Sequence, residues 1–298
     1  MSARELAQLA FCALLSLGAT PATAREVRDD TGASVRVPAD TCRIVSLAPG
    51  TTAMLYAAGA GHCLVGTIAH SKEPAEAAKV PVVGDAETLD FENLLALRPS
   101  VVVVAVDVVQ RVRIDRIRAL GIPVYEVHVV SLEQMPASIR RLGSLAATET
   151  AANREAARLS GELAAIGARY RGRSTVRVLY QIWDQPIYTI GGRHVINDAL
   201  TLCGASNIFA DLSTAAPAVT REASVLRNPD LILVSAPPAT AEEWRAAWMR
   251  FPTLAALKNG RVVAYTDERM DRMGPSVVEA TAGLCEVIDR ARIAPAAR

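Results

Sequence analysis

The chain has 298 residues, of which 51% are hydrophobic, and its 32 basic and 31 acidic residues leave a formal net charge of +1. This length allows two ordinary domains or one large one, and the apolar fraction is sufficient for a sizeable core. The balanced charge argues against a partner that is bound by general electrostatic attraction, such as a nucleic acid.

The N-terminal segment 1–24 has the features of a secretory signal peptide. A basic residue near the start is followed by an apolar run over 6–17 and by small residues up to Ala24, which is the order found in cleavable signals. The apolar run is too short for a transmembrane helix. A lipid-anchored form would use Cys12, but the bulky Phe11 stands before it where a small residue is needed. We therefore expect cleavage after Ala24 and export to the periplasm.

The remaining chain alternates short apolar strands with helical stretches, the pattern of parallel sheets with crossover helices. Predicted strands cover 43–50, 63–66, 81–85, 101–105, 123–127, 176–182, 230–236 and 261–267. Predicted helices include 51–61, 195–204 and 276–292. Between the two groups of strands, 132–170 has apolar residues at intervals of three and four, typical of one long helix or of two in succession.

This long helical segment divides the chain into three parts. We expect an N-terminal α/β lobe over 42–130, a connecting backbone helix over 131–172 and a C-terminal α/β lobe over 173–298. The predicted fold class is α/β, with two lobes, each a mainly parallel sheet with flanking helices, joined by one long backbone helix. A continuous helix between the lobes resists hinge bending, so we expect only a small closure when a ligand binds.

One phrase occurs twice, once in each lobe. The stretches ENLLALRPSVVVVA (92–105) and EASVLRNPDLILVSA (222–236) each contain a Glu, a Leu-containing amphipathic run, a Pro seven positions after the Glu, and an apolar strand. Proline ends a helix, and a solid apolar run is typical of a strand buried on both faces. Glu92 and Glu222 therefore begin equivalent helices, where an acid is stabilised by the helix dipole.

Four cysteines remain once the signal peptide is removed, and an even number in an oxidising compartment favours disulfides. Their spacing fits no zinc template. We expect pairing within each half, Cys42–Cys63 and Cys203–Cys285. Cys42 and Cys63 each precede a strand-like run, so they could lie at the same end of neighbouring parallel strands. Buried free thiols are the alternative for either pair.

Known catalytic and nucleotide-binding motifs do not occur in the sequence. It has no GxSxG, GxxxxGK[ST], HExxH or GxGxxG pattern in the required context. The four His residues have no ligand spacing on a helix, so we predict no catalytic residue, cofactor or resident metal. An exported enzyme built on two lobes would need a general acid and a general base in the cleft, and the sequence shows no such pair. Two lobes without a nucleophile are typical of a protein that binds a small molecule.

Several ordered stretches resemble a known family. They are RIVSLAPGTT, FENLLALRPSVVVV, ALGIPVYEV, LTLCGASNIFADL with the following PAVTRE, and GPSVVEATAGLCEVID. Over nearly all of 42–290 the chain resembles the periplasmic vitamin B12-binding protein family. This family belongs to the ABC-importer substrate-binding proteins that have a single long backbone helix. The resemblance directly supports Cys203–Cys285, whereas it says nothing of Cys42–Cys63.

The resemblance also suggests a role for the duplicated acids. In that family one Glu on each lobe pairs with Arg residues on the two membrane subunits of the importer, and Glu92 and Glu222 match those positions. The implied partners are the ABC transporter permease subunits and a small-molecule ligand. We expect a monomer that is not embedded in the membrane and that binds no nucleic acid.

The expected ligand is a bulky metal chelate, with a corrinoid first and haem or a ferric siderophore as the alternative. The family lines its cleft with aromatic side chains, but Ala86, Ala105 and Ala216 stand at the matching positions, and His70 stands where a Tyr is expected. His70 could ligate iron or be an ordinary polar residue at the cleft rim. The Tyr that haem-binding relatives place in the neighbouring loop is Glu73 here.

Other loop residues must therefore contact the ligand if the cleft is used. Trp183 is the leading candidate, because an indole after a strand at the edge of the cleft can stack on a flat ligand; packing under the connector helix is the alternative. Asp107 and Asp184 follow strands and could accept hydrogen bonds from ligand amides. Trp244 and Trp248 are expected to pack. The complete ligand set is Pro49, His70, Asp107, Trp183, Asp184, Tyr188, Arg193, Tyr265 and Arg272.

Overall fold

The structure is a computed structural model that describes residues 24–85, 87–270 and 272–293. The proposed signal peptide, apart from Ala24, and the position of Ala86 lie outside these residues. The described chain forms two α/β lobes joined by helices, which confirms the predicted fold class.

The N-terminal lobe contains a parallel sheet of four strands. The chain begins with β1 (Ala24–Arg28) and β2 (Ser34–Pro38), followed by β3 (Ile44–Ser46), β4 (Leu64–Gly66), β5 (Val101–Ala105) and β6 (Val124–Val127). The sheet order is β4-β3-β5-β6. Its helices are α1 (Pro49–Ala57), α2 (Phe91–Ala96) and α3 (Arg111–Ala119), with 3₁₀ turns at Gly61–Cys63 and Ala75–Lys79. The strand expected over 81–85 forms only isolated bridges, since Pro81 has no N–H to donate and Gly84 has a φ of 146°.

The sequence did not lead us to expect the antiparallel hairpin of β1 and β2, which precedes this sheet. Asp30, two residues after the end of β1, fixes the hairpin to the rest of the protein. Its buried carboxylate accepts hydrogen bonds from Arg141 Nε at 2.7 Å, from Ser138 Oγ at 2.6 Å and from the His128 N–H at 3.1 Å. A buried carboxylate with three donors is well compensated for the loss of water. The first residues of the described chain are thus part of the folded lobe.

The connecting segment contains two helices, α4 (Gln134–Ala146) and α5 (Glu149–Tyr170). Of the two arrangements left open by the periodicity, the structure has two helices in succession, and α5 is the long backbone helix of 22 residues. The break occurs at Ala147, which has the left-handed φ of 55°. The turn lets α4 fold back along α5, where a Cβ on Gly143 would lie 2.3 Å from that of Ala152. Only glycine allows this approach.

The C-terminal lobe has a mixed six-stranded sheet in the order β10-β8-β7-β11-β12, with β9 paired to β7. The strands are β7 (Val176–Trp183), β8 (Ile187–Thr189), β9 (Ala205–Asn207), β10 (Ala218–Val219), β11 (Leu231–Val234) and β12 (Val262–Ala264). β7, β9, β11 and β12 are parallel, and β8 and β10 form an antiparallel edge. The helices are α6 (Val195–Leu202), α7 (Arg221–Arg227), α8 (Pro238–Trp248), α9 (Ala255–Lys258) and α10 (Ser276–Ile293).

The main hydrophobic cluster is shared by both lobes. It runs from Ile44 and Val101 in the N-terminal sheet, through Ile139 in α4 and Leu159 in α5, to Leu231 in the C-terminal sheet. Two smaller clusters belong to one lobe each. The lobes are therefore joined by common apolar packing as well as by the connecting chain.

Both expected disulfides are formed. Cys42–Cys63 joins the segments just before β3 and β4, which are neighbouring parallel strands, as the spacing suggested. Cys203–Cys285 joins the end of α6 to α10 and closes a loop with a sequence separation of 82. Within the described ranges, no helix combines the length and the apolar character that crossing a membrane requires.

Candidate functional site

A cavity of about 960 Å³ opens where parallel strands of the C-terminal sheet end. Its lining comes from the end of β7, from the segments that follow β7, β11 and β12, and from α8: Ile182–Gln185, Ser235–Pro238, Thr240, Glu243, Trp244, Thr266 and Glu268. Ligands in open α/β sheets bind outside the carboxyl ends of the strands, so its position is that of a ligand site. The volume lies at the upper end of the range of about 300–1,000 Å³ for small-molecule sites.

Trp183 has the placement expected of a stacking residue. Its side chain is 57% exposed and lies at the cavity. It does not pack under the connecting helices, because its ring makes a T-shaped contact with that of Trp244 on α8, with 5.9 Å between ring centroids and an interplanar angle of 69°. An indole that is held by one neighbouring ring and is otherwise exposed can stack on a flat ligand.

The pair Trp244 and Trp248 differs partly from the expectation that both only pack. Trp248 is fully buried and donates from Nε1 to Gln181 Oε1 at 2.8 Å. Trp244 is 8% exposed, and that remainder faces the cavity. The sequence offered no signal for this difference, because both indoles lie on one face of the same helix.

Asp184 and Tyr265 have partners within the protein rather than free polar atoms. The Asp184 carboxylate is buried and accepts from Arg221 Nη2 at 2.6 Å and from Gln181 Nε2 at 2.9 Å. The Tyr265 hydroxyl donates to the Ala280 carbonyl at 3.0 Å inside the shared core. Both side chains therefore have partners that hold them in place, and Asp184 also lines the cavity. Their contact with a ligand stays a prediction.

Arg272 lies at a junction between the lobes. Its guanidinium contacts Glu268 at 2.7 Å in its own lobe and Glu73 at 3.4 Å in the other lobe. Ser276 Oγ also donates to Glu73, at 3.1 Å. Pro49 begins α1 here, and a Cβ on the following Gly50 would lie 2.6 Å from the Arg272 carbonyl. These contacts join the two lobes directly.

The remaining predicted ligand residues lie apart from the cavity lining. The Asp107 carboxylate is 3.1 Å from His128 Nδ1. Arg193 and His70 are exposed, and His70 has a φ of 67°. Tyr188 is 38% exposed on β8, opposite Trp183 in the strand pairing. Their contact with a ligand stays a prediction.

Among the described residues, one group of side chains has metal-ligating character and close spacing, Cys42, His62 and Cys63. The two cysteines are bonded to each other, so neither offers a thiolate. Iron ligation by His70 stays a prediction.

Replacing His194 by asparagine is expected to remove a pH dependence of stability. Burial lowers the pKa of His194 to about 4, and Asp107 opposes this only in part. The unfolded state, with a pKa of about 6.5, binds the proton first, so the folded state loses stability as the pH falls from 6.5 towards 4. The full loss is about 3 kcal/mol for this shift.

Asparagine is the matched replacement, because His194 Nδ1 accepts the Ile196 N–H at the start of α6, and asparagine also caps helices. Urea unfolding should show equal stability at pH 7.5, with His194→Asn more stable than the native chain by about 2 kcal/mol at pH 4.5. An equal difference at both pH values would contradict the assignment.

Glu92 and Glu222 occupy equivalent positions on the two lobes. Each is the second residue of a short helix, α2 or α7, and each side chain is exposed. The preceding Asp90 and Thr220 accept hydrogen bonds from the Asn93 and Ala223 N–H groups at 2.9 and 3.1 Å. Within the described ranges neither glutamate forms an ion pair, so both carboxylates are open to an external cation.

Two α/β lobes, a shared core and a cavity at the carboxyl ends of parallel strands define a two-lobed solute-binding protein. The chain belongs to the periplasmic binding protein family, which matches residues 44–269. This is a family of transport components that bind their solute, so the chain is a binding protein rather than an enzyme.

The chain is also similar to individual proteins whose ligands are named. The chain is 29% identical over 244 residues to a vitamin B12-binding protein of Yersinia pestis (strain Pestoides F), covering 82% of this chain and 85% of that protein. The periplasmic vitamin B12 binding protein BtuF of Vibrio cholerae superposes with a TM-score of 0.78 and 26% identity, covering 85% of this chain and 99% of that one. The periplasmic heme-binding protein RhuT of Roseiflexus sp. RS-1 shares the fold, with a TM-score of 0.72, 23% identity and coverage of 84% and 99%.

Proposed function

We propose that this protein is the periplasmic substrate-binding component of an ABC importer and that it captures a bulky metal chelate, a corrinoid first. The observation that carries the proposal is the exposed Trp183 ring at a cavity of about 960 Å³ beyond the carboxyl ends of β7, β11 and β12. A flat macrocycle gains apolar burial and stacking from such a ring. The two relatives named for vitamin B12 support the choice of a corrinoid.

Delivery to the permease uses Glu92 and Glu222 in this proposal. They present on each lobe one carboxylate that forms no ion pair with any described residue, which suits two equivalent basic sites on a two-fold symmetric partner. Residues 1–24 act as a cleaved signal peptide, and the mature monomer begins at Arg25, close to the start of β1.

The test is calorimetric titration of the mature chain, from Arg25 onward, with cobalamin, haemin and a ferric siderophore in parallel. We expect one-to-one binding of cobalamin with a dissociation constant of about 1 μM or tighter. Tight binding of haemin or the siderophore without binding of cobalamin would assign the cavity to the alternative ligand. Binding of none would contradict the proposal of a metal chelate.

A further inference from the structure

The aromatic surface of the cavity is confined to one lobe and consists of two indoles. Trp183 and Trp244, which we call the aromatic corner, come from the end of β7 and from α8. Their edge-to-face contact at 5.9 Å holds the Trp183 plane in one orientation. Trp244 is itself anchored in the cluster of the C-terminal lobe. The stacking face is therefore preorganised, which reduces the entropy that a ligand loses on binding.

The charged side chains that line this cavity are all acidic. They are Asp184, Glu243 and Glu268, and among the described residues no Lys, Arg or His belongs to the lining. Arg221 neutralises Asp184 at 2.6 Å, and Arg272 contacts Glu268 at 2.7 Å from outside the lining. Glu243 is exposed and forms no ion pair within the described part of the chain. Two of the three carboxylates are thus balanced by a guanidinium, and Glu243 adds one uncompensated negative charge to the cavity. We call the two exposed carboxylates, Glu243 and Glu268, the acidic rim.

The acidic rim discriminates between ligands by the charge of the groups at the edge of the macrocycle. An amide N–H donates a charge-assisted hydrogen bond to a carboxylate. A ligand carboxylate brought close to the rim is instead repelled, and this repulsion grows as the ligand excludes water. Two chelates with the same macrocycle would therefore bind with different affinity if one carries amides and the other carries acids.

We propose, on the basis of the proposed function, that the aromatic corner and the acidic rim form a subsite for a planar chelate with an uncharged, amide-bearing edge. The face of the macrocycle lies on Trp183, and its amide N–H groups donate to the rim. The subsite selects against chelates with free carboxylates. Trp244 sets the plane of the stacking ring and is a positioning residue, whereas Glu243 determines specificity.

The experiment compares two corrinoids with the same ring, dicyanocobinamide, which carries amides, and dicyanocobyrinic acid, which carries carboxylates. Titration of the mature chain is expected to show binding of the amide form at least about tenfold tighter. Glu243→Gln should reduce this ratio severalfold by improving binding of the acid. Glu242→Gln is the matched control, because Glu242 is on the same helix, pairs with Arg245 at 2.6 Å and does not line the cavity.

The role of Trp244 is tested with Trp244→Phe, which keeps an apolar ring in the cluster. It should weaken binding of the amide form about three- to tenfold. It should also reduce the change in the circular dichroism of the corrinoid that accompanies binding, while the unfolding midpoint shows that the fold is retained. Equal affinity for the two corrinoids, or equal effects of Glu243→Gln and Glu242→Gln, would overturn the subsite and leave the proposed function intact. Binding of neither corrinoid would overturn both.

Discussion

Replacing Glu92 and Glu222 together by alanine is expected to abolish import of the ligand while its affinity for the protein is unchanged. Both carboxylates are exposed, lie at the same position of a helix on their respective lobes and form no ion pair in the described ranges. Neither residue lines the cavity. In the proposed complex both carboxylates contact the permease at the same time. Losing both contacts would prevent productive docking, because each contributes to orientation as well as to attraction.

The measurement is uptake of labelled ligand by cells of the native host that carry the variant, together with calorimetry of the purified protein. Glu149→Ala is the matched control, since Glu149 is also an exposed acid in the first turn of a helix, α5. If the duplicated acids only complement helix dipoles, all three residues contribute about 0.3–1 kcal/mol to stability and nothing to uptake. Normal uptake by the double variant would rule out the dock.

Replacing Cys203 and Cys285 together by alanine is expected to lower the free energy of unfolding by about 4.5 kcal/mol. The bridge closes a loop with a sequence separation of 82, and the loss follows from the larger freedom of the unfolded chain. Both residues are fully buried. Alanine is therefore a better replacement than serine, whose hydroxyl group would have no hydrogen-bond partner in the core.

The second bridge is the internal control. Cys42–Cys63 has a sequence separation of 21, for which the same relation gives about 3.3 kcal/mol. Urea unfolding of the two double variants should therefore differ by about 1 kcal/mol. A larger loss for the shorter loop would show that local packing, rather than chain entropy, determines the contribution of these bridges.

The predictable part of the fold follows from strong local patterns. The solid apolar runs at 101–105 and 230–236 could only be buried strands, and the alternation with helices indicated parallel sheets. The β1–β2 hairpin was missed because two strands of five residues, directly after the apparent signal peptide, give a weak pattern. The helix break at Ala147 was not visible either, since alanine favours helices and the left-handed turn is imposed by the close approach of α4 to α5.

The exposure of a site residue could be predicted where it follows from the position of the residue at the end of a strand. It could not be predicted where it depends on contacts with residues that are distant in sequence. Trp183 stands at a strand end and lies at the cavity. Asp184 follows Trp183 in the chain, yet its carboxylate accepts a hydrogen bond from Arg221, which is 37 positions away. Tyr265 is satisfied by a carbonyl of α10, and Trp244 faces the cavity only because α8 lies beside the end of β7. Such contacts between remote segments leave no mark in local sequence.

The hydrophobic cluster that both lobes share limits the sequence changes that this protein can tolerate during evolution. A recombination event that exchanged one lobe for that of a relative would cut through the common core and leave two mismatched halves. Neither lobe is a transferable module. The loops at the strand ends are outside this constraint, so an aromatic side chain can be lost from one wall and gained on the other without disturbing the interior. Ligand choice can therefore diverge by single substitutions, while the two lobes are inherited as one unit.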